Sequence, residues 1–353
     1  MSHESPYPPE LARYSRQMLF APIGVEGQRR LRQASVVLVG CGALGSALAD
    51  LWVRAGVGAL RIIDRDFLEL DNLQRQTLFD EHDVAQNLPK AEAAARKLRK
   101  INSAVEIEGL VADVNPSNAV ALCADADLIL DGTDNLETRY LLNDVAVQHD
   151  LPWVYAACLG AEGLVLPIVP HQGPCLRCVW EEPPPPGTMP TCDTAGILAA
   201  TASIVASLAA TEAMKIVIGT TGAEPSRHAA LLVVDVWAGR VRAVNVQSAF
   251  EAGDCPCCQQ GRRDFLAGDQ TATTMTLCGH DAVQVRPSAE APINLKSVAA
   301  RLPAQARPRL NEFLLRFNVE SIGVTLFADG RAIIQGTRDP TVARAVYAKY
   351  IGM

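Results

Sequence analysis

The chain has no excess of positive charge. Thirty-two Lys and Arg face 39 Asp and Glu over 353 residues, a net charge of −7, which argues against a nucleic-acid binder and its basic face. It has no apolar start either. Residues 1–10 are polar and Pro-rich, without the apolar centre of a signal peptide, so a cytoplasmic enzyme is expected. A disulfide framework is not indicated either: of the ten cysteines, four fall in two Cys-x-x-Cys pairs, which favours metal. One segment, 196–218, is nearly long enough and apolar enough to span a bilayer. It is Ala-rich, however, and carries Thr201, Ser203, Ser207, Thr211, Glu212 and Lys215. A helix packed closely inside a soluble fold is the simpler expectation. The length allows one large domain and a small one.

What is present centres on Val36-Val37-Leu38-Val39 running into Gly40-Cys41-Gly42-Ala43-Leu44-Gly45. This pattern predicts a buried strand, a tight glycine turn and a helix closed by Gly56. Such a turn brings phosphate oxygens against bare backbone N–H groups at a helix N-terminus. The next strand, 60–63, ends in Asp64, placed to accept hydrogen bonds from ribose hydroxyls. The fingerprint stands in its β-turn-α-β-Asp context and says nucleotide, without saying which.

Residues 64–76 are too polar for a strand. A solvated loop is the ordinary reading of such a charge run, but Asp64, Asp66, Asn72 and Arg75 follow a strand's carboxyl end, where doubly wound sheets bind ligands. Pro89 starts a helix with Lys90 in its first turn. A cation there opposes the helix dipole; a nearby polyphosphate would explain it, and so would plain solvation. The strand 128–130 runs into Asp131-Gly132-Thr133-Asp134-Asn135. Asp134 is the best carboxylate for a Mg²⁺ bridging phosphates, and is also expected to cap the helix 136–148.

Beyond residue 150 the βα alternation stops. Strands 152–158 and 164–169 read as a hairpin, so antiparallel strands are expected to continue the sheet. Cys175 and Cys178, with Cys255 and Cys258, fit a closed Cys₄ structural zinc site, leaving Cys257 as the odd thiol. The Pro-rich stretch 181–190 can be neither helix nor inner strand. It leads to Cys192 at the expected start of the small-residue helix, as a candidate low-pKa nucleophile or a space-filling thiol. Cys41, Cys123, Cys158 and Cys278 are taken as packing residues. A last hairpin, 231–236 with 240–246, ends the sheet. A separate small unit follows, with a turn at Asp329-Gly330 and a final helix capped by Asp339 with Pro340 at its first position.

Together, Arg13-Tyr14-Ser15-Arg16-Gln17, the turn Gly40 to Gly45, Asn72-Leu73-Gln74-Arg75-Gln76, Lys90, Asp131 to Asn135 and the cysteine knuckles resemble the bacterial ubiquitin-activating-enzyme-like proteins ThiF, MoeB and HesA. The resemblance covers about three quarters of the chain. The tail resembles the extension of longer members. The implied fold is α/β, a Rossmann-like doubly wound sheet, parallel in its first half and continued by antiparallel strands, with a small α+β C-terminal domain. The implied domains are 1–260, including a crossover loop at 181–194, and 270–353. The implied activity is ATP–Mg²⁺-dependent adenylation of the C-terminal Gly-Gly of a small ubiquitin-like sulfur carrier, then attack by sulfur from a donor such as a cysteine desulfurase or rhodanese.

By the same resemblance Asp64 holds the ribose, Arg75 and Lys90 hold phosphates, and Asp134 sits at Mg²⁺. Asp66, Asp71, Asn72, Leu73, Gln74 and Asn135 join Gly40, Gly42, Ala43 and Gly45 around the nucleotide. Arg16 reaches the ATP of the partner in a homodimer, and Cys192 matches the cysteine that can carry the partner or a persulfide. Ala43 departs from the glycine of many members and adds a methyl at a close-approach position. The residue types suit the reaction, since an ionised carboxylate attacking phosphorus needs positive charge more than a general base. A nicotinamide-dependent oxidoreductase would leave Arg75, Lys90, Asp134 and the knuckles idle. A non-catalytic carrier-binding scaffold would be expected to lack one of these charges.

Overall fold

The structure, a computed structural model, describes residues 7–184, 192–219, 229–268, 274–277, 282–285, 293–319 and 321–351. The chain divides into two compact units, Met1–Thr188 with Ile197–Gln270, and Met189–Gly196 with Thr271–Met353.

The first unit opens with α1 (Ser15–Met18) and α2 (Gly24–Gln33), then β1 (Ser35–Val39), α3 (Ala43–Ala55) and β2 (Ala59–Asp64). After a 3₁₀ turn at Leu70–Asn72 come α4 (Glu81–Ala85), α5 (Lys90–Ile101), β3 (Glu106–Val111), α6 (Ala119–Cys123), β4 (Leu128–Asp131) and α7 (Leu136–Gln148). Next are β5 (Trp153–Leu159), β6 (Glu162–Ile168) and α8 (Leu176–Val179). The short α9 (Cys192–Ala195) groups with the second unit; α10 (Ala199–Ile218), β7 (Ala230–Asp235), β8 (Arg240–Asn245) and α11 (Gln247–Glu251) return to the first.

Its sheet has eight strands in the order β3-β2-β1-β4-β5-β6-β7-β8. The strands from β3 to β5 are parallel, and β6, β7 and β8 are added antiparallel, as the sequence predicts. Val36 of β1 lies between Leu60 and Leu128, and both faces of the central strands are buried, which is why they read as unbroken apolar runs. The strand order reverses between β1 and β4, so the carboxyl ends of β2, β1 and β4 open together on one edge.

Two expectations change here. Helix α10 starts at Ala199, and Cys192 begins its own four-residue turn, with Gly196 at φ +75° between them. Helix α10 is also buried on one side only. Thr201, Ala202, Val205, Ala206 and Ala209 face β5, β6 and α3, while Ile204, Ser207, Thr211 and Lys215 are exposed. By length and composition alone it could cross a membrane; its apolar residues instead build the first unit's core.

The second unit holds β9 (Thr274–Leu277), β10 (Ala282–Val285), α12 (Leu295–Arg301), β11 (Arg309–Leu310), β12 (Leu314–Val319), β13 (Ile322–Phe327), β14 (Ala332–Gln335) and α13 (Pro340–Tyr350). Its antiparallel sheet runs β11-β12-β13-β14-β10-β9, and Leu295, Val298, Ala343, Tyr347 and Ile351 pack with Phe317, Leu326 and Ile334 in one core. Asp339 caps α13 through Thr341 N at 2.7 Å, as expected. Cys278 lies outside the described residues.

Candidate functional site

The turn after β1 is set by close backbone approach. Gly40 has φ +86°, and a Cβ there would lie 2.6 Å from the backbone of Gly132; a Cβ on Gly45 would lie 2.0 Å from Gly40 O. Only glycine fits either position. Gly42 is different: the nearest atom to a Cβ there is Gln76 Nε2 at 3.9 Å, so the space over the start of α3 is open. Ala43 is the first residue of that helix and is half-buried. Gln76 is itself buried, and among the described residues its Oε1 has no partner.

At the end of β2, Asp64 is buried, and its carboxylate accepts from Cys41 N (2.6 Å) and Asp66 N (2.7 Å). Burial raises its pKa and the charge of Lys90 pulls it back. Lys90 Nζ stands 3.2 Å from Asp66 Oδ2, and its backbone N donates to Asp66 O. Burial works against its charge, but Asp66, Asp64 and Asp134 outweigh that and hold it protonated. The lysine at a helix N-terminus is therefore placed by three carboxylates, not by solvent. Arg65 pairs with the buried Asp113 at 3.3 Å.

The loop before α4 is folded on itself. Asn72 is buried, accepting from Glu69 N and donating to Asp71 Oδ1 at 3.0 Å. Arg75 donates to Asp71 O at 2.8 Å; Leu73 is half-buried, and Asp71 and Gln74 are exposed.

The end of β4 corrects one expectation. Asn135, not Asp134, caps α7, accepting from Glu137 N at 2.9 Å. Asp134 is exposed with no hydrogen-bonding partner among the described residues, and its charge bears on Lys90, Arg65 and Arg139. Arg139 is the residue that sequence reasoning missed. Its buried guanidinium donates to Asp131 Oδ2 (3.1 Å), Thr133 O (2.6 Å) and Ala156 O (3.0 Å), and lies 5.2 Å over the Tyr155 ring. Burial raises the pKa of the wholly buried Asp131, and Arg139 opposes the rise. Nothing local marks Arg139, because its partners come from β4, the loop after it and β5.

The structure thus brings Gly40, Gly42, Gly45, Asp64, Asp66, Lys90 and Asp134 to one edge. It does not bring Arg16 to it. In Arg13-Tyr14-Ser15-Arg16-Gln17, Arg13 bonds Asn102 and Ile101 O, Tyr14 is buried under Asn102, and Gln17 holds Gln28 and Ala55 O. Arg16 is exposed and, unlike the equally exposed Arg13, has no partner among the described residues. The side chain of Cys192 lies outside the described residues.

The two cysteine pairs meet although corresponding cysteines are 80 positions apart in the sequence. The Sγ atoms of Cys175, Cys178, Cys255 and Cys258 all lie within 4.8 Å of one another, with separations of 3.6 Å for Cys175–Cys255, 3.9 Å for Cys175–Cys178 and 3.4 Å for Cys178–Cys258. A tetrahedron with metal–sulfur bonds of about 2.3 Å has edges of about 3.8 Å. The four thiols could hold one metal ion. Cys257 is excluded from the four and is wholly buried against Asn143 and Asp144.

Comparison with known proteins gives the family of the chain. The model of the ThiF family matches residues 14–257. The sulfur carrier protein ThiS adenylyltransferase of Bacillus subtilis is 42% identical over 341 residues, 96% of this chain and 99% of that protein. The sulfur carrier protein adenylyltransferase of Thermus thermophilus is 38% identical over 70% of this chain and 91% of its own length. Among solved structures, Escherichia coli MccB with ATP superposes with a TM-score of 0.59 at 22% identity, covering 70% of this chain and 73% of that one. This last likeness is one of fold.

Proposed function

The chain belongs to the ThiF family, and from that we propose that it uses ATP to adenylate the C-terminal glycine of a small sulfur-carrier protein. One observation carries the reading: a bare glycine turn stands beside Lys90, Asp64 and the unpartnered Asp134 at the reversal point of the sheet.

The carrier's terminal carboxylate attacks the α-phosphorus of ATP. A new P–O bond forms, the α–β phosphoanhydride bond breaks, and pyrophosphate leaves with the charge. No proton has to move, so the site's task is to fix the nucleotide and balance charge on the departing phosphates. In this reading Gly40, Gly42, Ala43 and Gly45 admit the phosphates to the N-terminus of α3. Asp64, fixed by two backbone N–H groups, accepts from the ribose hydroxyls. Lys90 and Arg75 face the phosphates. The loop Asp71-Asn72-Leu73-Gln74, with Asp66 and Asn135, walls the nucleotide. Asp134 would hold a Mg²⁺, which neutralises the phosphate oxygens when bound.

The acyl-adenylate is then open to sulfur from a donor such as a cysteine desulfurase or rhodanese, with Cys192 as the thiol that holds the carrier or a persulfide. The Cys₄ cluster is assigned a structural zinc, for which its sulfur spacing is suited. Arg16 is assigned to the nucleotide of a second copy. It lies in α1, just before Leu19 and Phe20, which are 63% and 61% exposed, a surface that a partner chain would cover. The net charge of −7 and the packing of one face of α10 in the first unit's core fit a cytoplasmic enzyme.

ATP–pyrophosphate exchange, screened against small proteins ending in Gly-Gly, tests the reading. Exchange is expected only with a carrier present. NADH binding without carrier-dependent exchange would overturn it in favour of an oxidoreductase.

A further inference from the structure

Helix α7 joins the nucleotide edge to the cysteine cluster. Its first turn carries Arg139, which clamps Asp131, Thr133 and Ala156. The next residues on one face, Tyr140, Asn143 and Asp144, stand at i, i+3 and i+4 and grip both knuckles. Asn143 Oδ1 accepts from Leu176 N at 2.8 Å in the first knuckle, and Asn143 Nδ2 lies 3.2 Å from Cys257 Sγ in the second. Asp144 Oδ1 is 3.4 Å from the same sulfur, and its Oδ2 accepts from Phe265 N (3.0 Å) and Leu266 N (3.3 Å). Tyr140 donates to Trp180 O at 3.0 Å and packs its ring 4.9 Å from Phe265.

Asn143 and Asp144 are both 0% exposed. A buried amide and carboxylate in mid-helix are tolerated only with partners. Every partner named above belongs to a knuckle or to the chain just after one. Their helix neighbours Leu141, Leu142, Val145 and Ala146 are apolar and buried, so packing alone does not call for polar groups here.

We infer that Asn143 and Asp144 are positioning residues that make the alignment of Arg139 and the loop 132–135 depend on an assembled Cys₄ centre. Arg139 and Asn143 are about 6 Å apart along one rigid helix. If the knuckles part, the amide and carboxylate lose their partners in apolar surroundings. The helix must then turn or fray to hydrate them, and Arg139 moves with it, loosening the loop that presents Asp134.

The test uses Asn143→Leu and the milder Asp144→Asn in the full chain with all four cysteines intact. Three quantities are read: zinc per chain, amide hydrogen exchange over 132–139, and carrier-dependent pyrophosphate exchange, the last resting on the adenylation reading. Zinc is expected to stay at the wild-type level while amide exchange over 132–139 speeds up roughly tenfold or more. Turnover is expected to fall by a similar factor with little change in KM for the carrier. Arg139→Lys should reproduce the effect, and Asn143→Leu added to it should cost no more, because the two act through one contact. Wild-type amide exchange at 132–139 in a zinc-loaded variant would overturn the inference, even with a lowered melting temperature. So would zinc loss from both variants, since the pair would then only support the metal site. Should Asn143→Leu not fold, Asp144→Asn decides. Should the wild-type protein exchange no pyrophosphate, the adenylation reading fails while the amide measurement still decides this one.

Discussion

At the carboxyl ends of β1, β2 and β4, charged groups gather at an open edge: Asp134 stands exposed, and Lys90 is held protonated by Asp66, Asp64 and Asp134. At the knuckles, four thiols face one another and the polar groups behind them, Asn143 and Asp144, are sealed from solvent. The first region is left open for groups that come and go. The second is closed around four thiols that could hold one metal ion. Helix α7 runs from the loop that bears Asp134 to the knuckles, so the two regions share one element and differ in what they surround.

The contrast is broken most severely at the open edge. Arg75→Ala or Asp134→Ala should lower carrier-dependent pyrophosphate exchange about a hundredfold or more, because a preorganised charge on separating phosphates is lost. The melting temperature should hardly move, since neither side chain is buried. Near-wild-type exchange in either variant would remove the residue from the site. The opposite profile is expected of Cys175→Ser. A closed metal site contributes directly to folding, so zinc should be lost and the melting temperature should drop. Activity should fall further than the folded fraction, because molecules that stay folded lose the contacts that align Arg139 and the loop 132–135. Full zinc content and an unchanged melting curve would contradict the Cys₄ assignment.

Much of the open edge was legible because its chemistry is local. A β-branched run, three glycines and an aspartate at the end of the next strand specify strand, turn, helix and strand by neighbouring residues alone. Asp134 could be placed at a strand end, but the capping role went to Asn135, a one-residue choice that turns on where α7 begins. Arg139 was not legible, because its partners Asp131 and Ala156 lie 8 and 17 residues away and meet it only after β4 and β5 pair. The one-sided burial of α10 was hidden for a like reason. Its composition is apolar all round, and only the position of β5, β6 and α3 decides which face is covered. The spacing of the knuckles suggested metal, whereas the tie from Cys257 to Asn143 spans 114 residues and has no local signature.

The open edge is held to be unfinished within one chain, and Arg16 is the group proposed to complete it from a second copy. Mixing Arg16→Ala with Asp134→Ala protein tests this most directly. In a symmetric dimer with shared sites, each mixed dimer has one site with both lesions and one with neither. Two inactive proteins should therefore regain up to about a quarter of wild-type pyrophosphate exchange when mixed equally and allowed to exchange subunits. A mixture that stays inactive although subunits demonstrably exchange would contradict the account, as would a native protein that sediments as a monomer.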